Sequence, residues 1–324
     1  MSPSSSTPSP TMNQKRELIT WDVCRLLLKV NKKVETSPLF EFNTLRQMGI
    51  QVVPVALDPK TETFQFSPCY FTPQPTTVLS DYPAIPSKDH KICDIEPLSY
   101  EGLLAKIKET KPRLKYPEKR AQREWETVVR LHLWEDGIDL DTRVGTLESH
   151  ITSIRDCRRY GIKDKCSDRG QLEYLTPLVY EHFDQHPDHA LNLDGICDRG
   201  SHPVLENWKV IEIRRCPDRD HPHFIIFVEH AYAATNDETF TVGEVRAIIR
   251  WMCTLHVDKA YKHHEMFPLL LITYTGPKHV RIIQAHHDGA KLVLQYTPLI
   301  SFEDRNNLPS TLVVRYAASM PVKV

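Results

Sequence analysis

Apolar and polar positions along this chain follow two different repeats. Over residues 118–186 apolar residues recur at spacings of three and four, the repeat of one helical face. From residue 189 onward they alternate or run together over short stretches, the repeat of strands. The helical signals are 118–136, where Trp125, Val128, Val129, His132 and Leu133 form one stripe ahead of Gly137, then 146–160, then 171–186, interrupted or begun at Pro177. Thr146 is a candidate cap for the second, and Arg158 and Arg159 suit its last turn. A shorter helix is expected over 100–110, capped by Ser99 and ended by the Lys111-Pro112 step.

The strand signals are 190–197, 208–215 and 223–231, separated by Gly, Pro and Asp clusters. Thr241 then caps a helix over 242–259, with Glu244 in its first turn. Strands over 269–275, 279–287 and 291–296 follow, and Asp288-Gly289 marks a tight turn between the last two, because glycine accepts positive φ. A last helix is expected over 308–318, so the C-terminal half reads α-β-β-β-α-β-β-β-α.

The N-terminal third is less regular. Residues 1–12 are rich in Ser and Pro and predict a disordered tail. Residues 17–30 are apolar on most sides and read as a short helix or strand, while 50–57 and 62–66 read as strands. Pro54 would place the first of these at a sheet edge. Residues 67–97 hold Pro68, Pro73, Pro75, Pro83, Pro86 and Pro97 and cannot form one regular element. The expected organisation is a tail (1–12), a small β-rich unit with a Pro-rich linker (13–97) and a main domain (98–324). The fold class is α+β: a mixed β-sheet flanked by helices, with a small irregular N-terminal unit.

Composition supports a packed core, with 40% hydrophobic and 26% charged residues over 324 positions. Lys plus Arg number 41 against 42 Asp plus Glu, so no overall charge draws the chain to nucleic acid or an anionic membrane. The start of the chain has no apolar stretch of the signal-peptide kind. The longest apolar runs, 224–228 and 267–272, fall far short of the ~20 residues a membrane span needs. The eight cysteines are scattered without a CxxC pair and read as free thiols of a reducing compartment. A soluble protein of the cytoplasm or nucleus, with no membrane partner, is expected.

Well-marked catalytic motifs are missing. There is no GxGxxG, no GxxxxGK[ST], no GxSxG, no HExxH and no EF-hand loop, and only 11 glycines let backbone approach a ligand closely. No organic cofactor is expected. His182 and His186 lie four apart and would share a helical face, but Pro187 ends that helix and no third ligand follows. Cys197 with His202, and Cys216 with His221 and His223, repeat a Cys-x4-His spacing. The two pairs flank a strand of roughly 25 Å, too long for one zinc shell. His263-His264 and His286-His287 sit at element ends and read as solvated.

The sharper constellation is acidic: Asp194, Glu212 and Glu229 fall on the three successive strands. Alternation places Val210, Glu212 and Arg214 on one face of the second. Glu229 ends an almost wholly apolar run, where a carboxylate is costly unless paired or bound to a cation. Carboxylates gathered there would hold Mg²⁺ for phosphodiester hydrolysis, with Asp194, Glu212 and Glu229 as ligands and Glu212 and Glu229 as catalytic acids. The plainer reading is an ion pair with Arg214 or Arg246, or a strand end in solvent.

A helix, three strands, a helix and a strand, with acids on the second and third strands, resembles the restriction-endonuclease-like PD-(D/E)xK core. The resemblance covers residues 171–300 and implies metal-dependent nuclease chemistry, Glu212 standing for the first acid and Glu229 for the second. The family's lysine position then falls on Ala231 in Glu229-His230-Ala231. A register using Asp194 with Glu212-Ile213-Arg214 puts arginine there instead, which cannot serve as a base. Both departures imply a degenerate site. The stretches EPLSYEGLLAKIK, TLESHITSIRDCR, RGQLEYLTPLVYEHFD, RGSHP, NWKV, FVEH and SFED are similar to a filamentous-fungal family with no assigned chemistry. Some members look to be near secondary-metabolite genes, which implies a pathway association.

Three readings follow: a non-catalytic, degenerate nuclease-like protein with a binding or accessory role toward protein or nucleic acid; an accessory protein of a fungal secondary-metabolite gene cluster; and a Mg²⁺-dependent nuclease. For the first, Arg155, Arg158 and Arg159 offer local positive charge and Trp208 an aromatic surface.

Overall fold

The computed structural model describes residues 11–34, 39–85, 104–105, 108–109, 112, 115–120, 140–164, 169–181, 208–218, 221–233, 236–304 and 309–323. The helices are α1 (Met12–Val34), α2 (Phe42–Met48), α3 (Val78–Asp81), α4 (Leu140–Asp156), α5 (Val242–Val257) and α6 (Ser310–Ala317). The short strands of the first third are β1 (Leu39–Glu41), β2 (Gln51–Pro54), β3 (Leu57–Asp58), β4 (Thr63–Phe64) and β5 (Phe71–Thr72). The later strands are β6 (Val179–Tyr180), β7 (Trp208–Arg215), β8 (Phe224–Ala233), β9 (Thr239–Thr241), β10 (Leu269–Gly276), β11 (His279–His287), β12 (Leu292–Tyr296), β13 (Ile300–Ser301) and β14 (Met320–Pro321).

One mixed sheet of eight strands organises the chain, in the order β2-β12-β11-β10-β8-β7-β6, with β13 beside the start of β11. β6, β7 and β8 form an antiparallel meander. The chain then crosses over through α5 to place β10 parallel to β8. β10, β11 and β12 form a second antiparallel meander. The tight turn between β11 and β12 forms at Asp288-Gly289, where Gly289 has φ +95° and Asp288 N–H donates to the Lys291 carbonyl at 3.1 Å. β2 closes the sheet parallel to β12, so Pro54 lies on an edge strand, where a missing N–H breaks no ladder.

Two layers of helix cover the sheet. On one face α5 packs Val245, Ile248, Ile249 and Met252 against Phe224, Ile226, Val228, Leu269 and Leu271, with α1 alongside it. On the other face α4 and α6 pack Val144, Leu147, Ile151, Val313 and Val314 against Ile225, Phe227, Leu270 and Ile272. β2 and α1 therefore tie the first third of the chain to the same sheet and the same core as the C-terminal half.

Local chemistry explains the best-defined helix ends. At α5 the Thr241 hydroxyl accepts from Glu244 N–H at 3.2 Å while the Glu244 carboxylate accepts from Thr241 N–H at 2.7 Å, a closed capping box. At α1 Thr11 and Gln14 make the same reciprocal exchange, so the helix starts at Met12 and runs well past the expected 17–30.

Several expectations are corrected. No helix runs from 171 to 181: a 3₁₀ turn, Leu172–Leu175, gives way to the edge strand β6. Pro177 drives the residue before it out of helical space, and Thr176 is extended at φ −120° and ψ 149°. β6 is thus the first described strand of the meander. The expected strand 190–197 and the helix over 118–136 fall largely or wholly outside the described residues, as do His182, His186, Cys197 and His202. α4 starts at Leu140 rather than near Thr146 and ends at Asp156.

Candidate functional site

Asp194 lies outside the described residues. Glu212 stands on β7 and Glu229 on β8, and both face α4. Alternation alone does not give this arrangement. The β7–β8 register shifts between Val210 and Glu212, so Lys209 pairs with Glu229 and Glu212 with Phe227. This bulge at Ile211 breaks the simple alternation. Val210 points into the α5 core, whereas Lys209, Glu212 and Arg214 share the α4 face.

Both carboxylate oxygens of Glu212 are engaged. Oε2 accepts from Arg155 Nη2 on α4 at 2.8 Å, and Oε1 accepts from Arg214 Nε two residues along β7. The two guanidiniums are anchored further. Arg155 donates to both oxygens of Asp156, at 2.7 and 3.2 Å, and Arg214 Nη2 lies 3.1 Å from Glu173 Oε2. Arg155 sits over the Phe227 ring, 4.9 Å from its centroid. Burial works against the charge on Arg155, but Asp156 and Glu212 outweigh it and raise its pKa above the ordinary value.

Glu229 is buried further along β8, with Oε2 2.5 Å from the half-exposed Lys209 ammonium. α4 passes close above it: a Cβ added to Gly145 would lie 3.9 Å from Glu229 Oε1. Tyr274 on β10 is in register with Glu229 and fully buried. Its hydroxyl has no hydrogen-bond partner among the described residues. Burial first, then the charges of Glu148, Glu212 and Asp156 against that of Arg155, push its pKa up. The neutral phenol is therefore the form present at ordinary pH.

The site is thus two acids on one face, each already matched by cations. Glu212 pairs with Arg214, as the plainer reading of the strand anticipated, and additionally with Arg155. Arg246 stays on the α5 face, its guanidinium 5.9 Å from the Trp208 ring. Among the described residues no group of three or more His, Cys, Asp or Glu side chains is placed to hold a metal ion. The sequence signal for Lys209 was present only as register: cross-strand pairing, not spacing along the chain, brings it to Glu229.

The other candidates resolve into structural roles. Cys216, His221 and His223 belong to the β7–β8 connection, where His221 lies 3.0 Å from Asp218 and His223 packs edge-on against Phe71. His286 and His287 are buried within β11 rather than solvated; His286 packs on Tyr70 and His287 Nε2 lies 3.3 Å from Asp22. Arg155 and Arg159 are buried and Trp208 is enclosed, so of the expected basic and aromatic surface only Arg158 faces solvent. Among the described residues no helix is long and apolar enough to cross a membrane. Comparison of the chain with protein-family models, with curated proteins and with solved structures finds no match.

Proposed function

We propose that this chain is a nuclease-like protein that no longer cuts and acts by binding, with a protein or a nucleic acid as its partner. The single observation that carries this reading is the occupancy of Glu212: a buried guanidinium holds each of its oxygens. A hard divalent cation needs open carboxylate oxygens. Here it would have to displace Arg155 or Arg214 and then sit beside the remaining positive charge. Two features support the nuclease-like part. Counting only the strands of the main sheet, and leaving out the short β9 that pairs with β1, the order α4-β6-β7-β8-α5-β10 is similar to the helix, three strands, helix and strand of that core, and the acids stand on the second and third strands of the meander. The family's lysine position falls on Ala231, and the ammonium near Glu229 comes from Lys209 on the neighbouring strand.

The test is a fluorescent-oligonucleotide assay with Mg²⁺ or Mn²⁺, comparing the wild type with Glu229→Ala. The expected result is no cleavage above the variant. Metal-dependent cleavage that Glu229→Ala abolishes would overturn the proposal and favour the Mg²⁺-dependent nuclease, with Lys209 in the lysine role. The same oligonucleotides separate the partners. Nucleic-acid binding would weaken steeply with salt; absent or salt-independent binding points to a protein.

A further inference from the structure

Helices α1 and α5 pack along one another, and the contact brings two thiols together. Arg16, near the start of α1, donates to the carbonyls of Leu255 and His256 in the last turn of α5, at 3.2 and 2.8 Å. It also donates to those of Tyr261 and His264 just beyond, at 2.6 and 2.5 Å. Ile19, Val23, Leu26 and Val30 continue the contact into the core that α5 shares. Cys24 follows Arg16 by eight residues, about 12 Å along the axis at ~1.5 Å per residue. It meets Cys253, which lies on α5 before the residues whose carbonyls Arg16 holds, so the two helices run antiparallel. Cys253 is 1% exposed, and Cys24 is half-buried on the flank of the same core cluster. Their thiols lie within hydrogen-bonding reach of each other, and both are free. Packed helices run ~8–10 Å apart with Cα atoms ~2.3 Å off each axis, so Cα atoms along the contact line are about 4–6 Å apart. A disulfide spans ~4.4–6.8 Å between Cα atoms, so this contact accepts one without moving either helix.

We infer that Cys24 and Cys253 are a redox pair: a peroxide joins them in a disulfide that fastens α1 to α5, and a thiol reductant opens it again. The unequal exposure of the two sulfurs sets the order of events. Cys24, on the solvent side, loses its proton and attacks one oxygen of hydrogen peroxide. The O–O bond breaks, Cys24 becomes a sulfenic acid, and the departing hydroxide takes up the released proton as water. The Cys253 sulfur then attacks Cys24 Sγ, the S–O bond breaks, and the hydroxide leaves as a second water with the Cys253 proton. The two thiols lose two electrons, and the peroxide gains two. Burial, and then the charge and hydrogen bond of Cys24, push the Cys253 thiol up against the opposing charge of Arg250. Cys253 therefore keeps its proton and waits as the resolving partner. It already stands beside the sulfenic acid, so the second step needs no search by the chain. In a reducing compartment the pair rests as two thiols and closes only when an oxidant appears. The inference stands apart from the nuclease-like reading and holds whether or not the chain cuts nucleic acid.

The test treats the full chain with hydrogen peroxide, blocks the remaining thiols under denaturing conditions and maps the tryptic peptides. The count of free thiols should fall from eight to six, and peptide 17–25 should be found linked to peptide 251–259. Dithiothreitol should restore all eight. Cys24→Ser should abolish the link, and Cys69→Ser should leave it intact. The linkage should form at least about tenfold faster in the folded chain than in urea, where the helices no longer hold the sulfurs together. The linked chain should have a higher urea midpoint than the reduced one, because the bridge restricts the unfolded state. A folded chain that keeps eight thiols overturns the inference. So does Cys24 going on to sulfinic acid while Cys253 stays free, a link that forms as fast in urea, or a bridge that lowers the urea midpoint.

Discussion

Each face of the central sheet buries charge, and the two do it differently. On the α5 face the ion pair is Arg281 on β11 with Glu244 on α5, at 3.3 Å, with side-chain exposures of 0% and 1%. Arg281 also donates to the backbone carbonyls of Thr239 and Asn236, at 2.7 and 3.2 Å, and Glu244 closes the cap of α5. The guanidinium lies near Phe240 and Tyr296, 5.2 and 6.0 Å from their centroids. On the α4 face Arg155, Glu212 and Arg214 hold one another together with Asp156 and Glu173, and the partners that satisfy them are side chains. Charge buried against backbone fixes where strands and helices meet. Charge buried against side chains can be re-paired when an anionic ligand engages the guanidiniums in place of a carboxylate. The α5 pair therefore reads as scaffold and the α4 cluster as the exchangeable part of the molecule.

The largest expected effect is Arg281→Met. It leaves Glu244 enclosed without its cation and two carbonyls without a donor, so stability should fall by about 3–5 kcal/mol, read as a lower urea midpoint at an unchanged slope. A loss under about 1 kcal/mol would remove the scaffold reading of this pair. The next effect is one of pH and also belongs to the α5 face. Burial, with the charges of Arg16 and His287 behind it, lowers the His256 pKa from 6.5 to about 3. Burial alone takes His230 to about 3. Both values lie below those of the unfolded chain, so unfolding takes up protons. The stabilisation is fully present above pH 6.5 and is lost as pH falls toward the folded values. His256→Phe should lose about 2 kcal/mol less than the wild type between neutral pH and about pH 4.5, in paired urea titrations. Parallel losses in the two proteins would show that this imidazole is not the group that titrates.

Glu212→Gln sharpens the contrast from the other side. Arg155 keeps Asp156 and Arg214 keeps Glu173, so the expected loss is about 1–3 kcal/mol, clearly below that of Arg281→Met. Equal losses would make the α4 cluster as structural as the α5 pair and would remove the argument for exchange.

The two faces also differ in how far the sequence reveals them. β7, β11 and β12 and the start of α5 were legible nearly to the residue, because each is fixed locally: apolar runs bounded by turn residues, Gly289 at its positive φ, and Thr241 three positions before Glu244. The acids were legible as candidates because a carboxylate at the end of an apolar run is costly. Their partners were not. Arg155 reaches Glu212 from 57 residues away, and Lys209 reaches Glu229 only after the bulge at Ile211 exchanges the faces of Val210 and Lys209. A bulge leaves little trace in a sequence of alternating residues. β6 was hidden for a different reason: residues 171–176 carry a helical pattern that Pro177 cancels, and the two-residue strand that follows is too short to show a period.

The smallest effect is the one that decides the standing of Glu229. Lys209 is 48% exposed and Glu229 7%, so the pair sits on the boundary between the two kinds of charge. Water competes for the ammonium, and an exposed partner contributes little to an ion pair. In a double-mutant cycle of Lys209→Met with Glu229→Gln the coupling should stay below about 1 kcal/mol. High salt should erase it, because a half-exposed pair is open to screening while an enclosed one is not. The same salt should leave the loss on Arg281→Met unchanged. A coupling of about 3 kcal/mol or more, insensitive to salt, would group Lys209 and Glu229 with the enclosed α5 pair. Glu229 would then be held too firmly for any ligand to recruit, and the exchangeable charge of the α4 face would reduce to Glu212 and its two arginines.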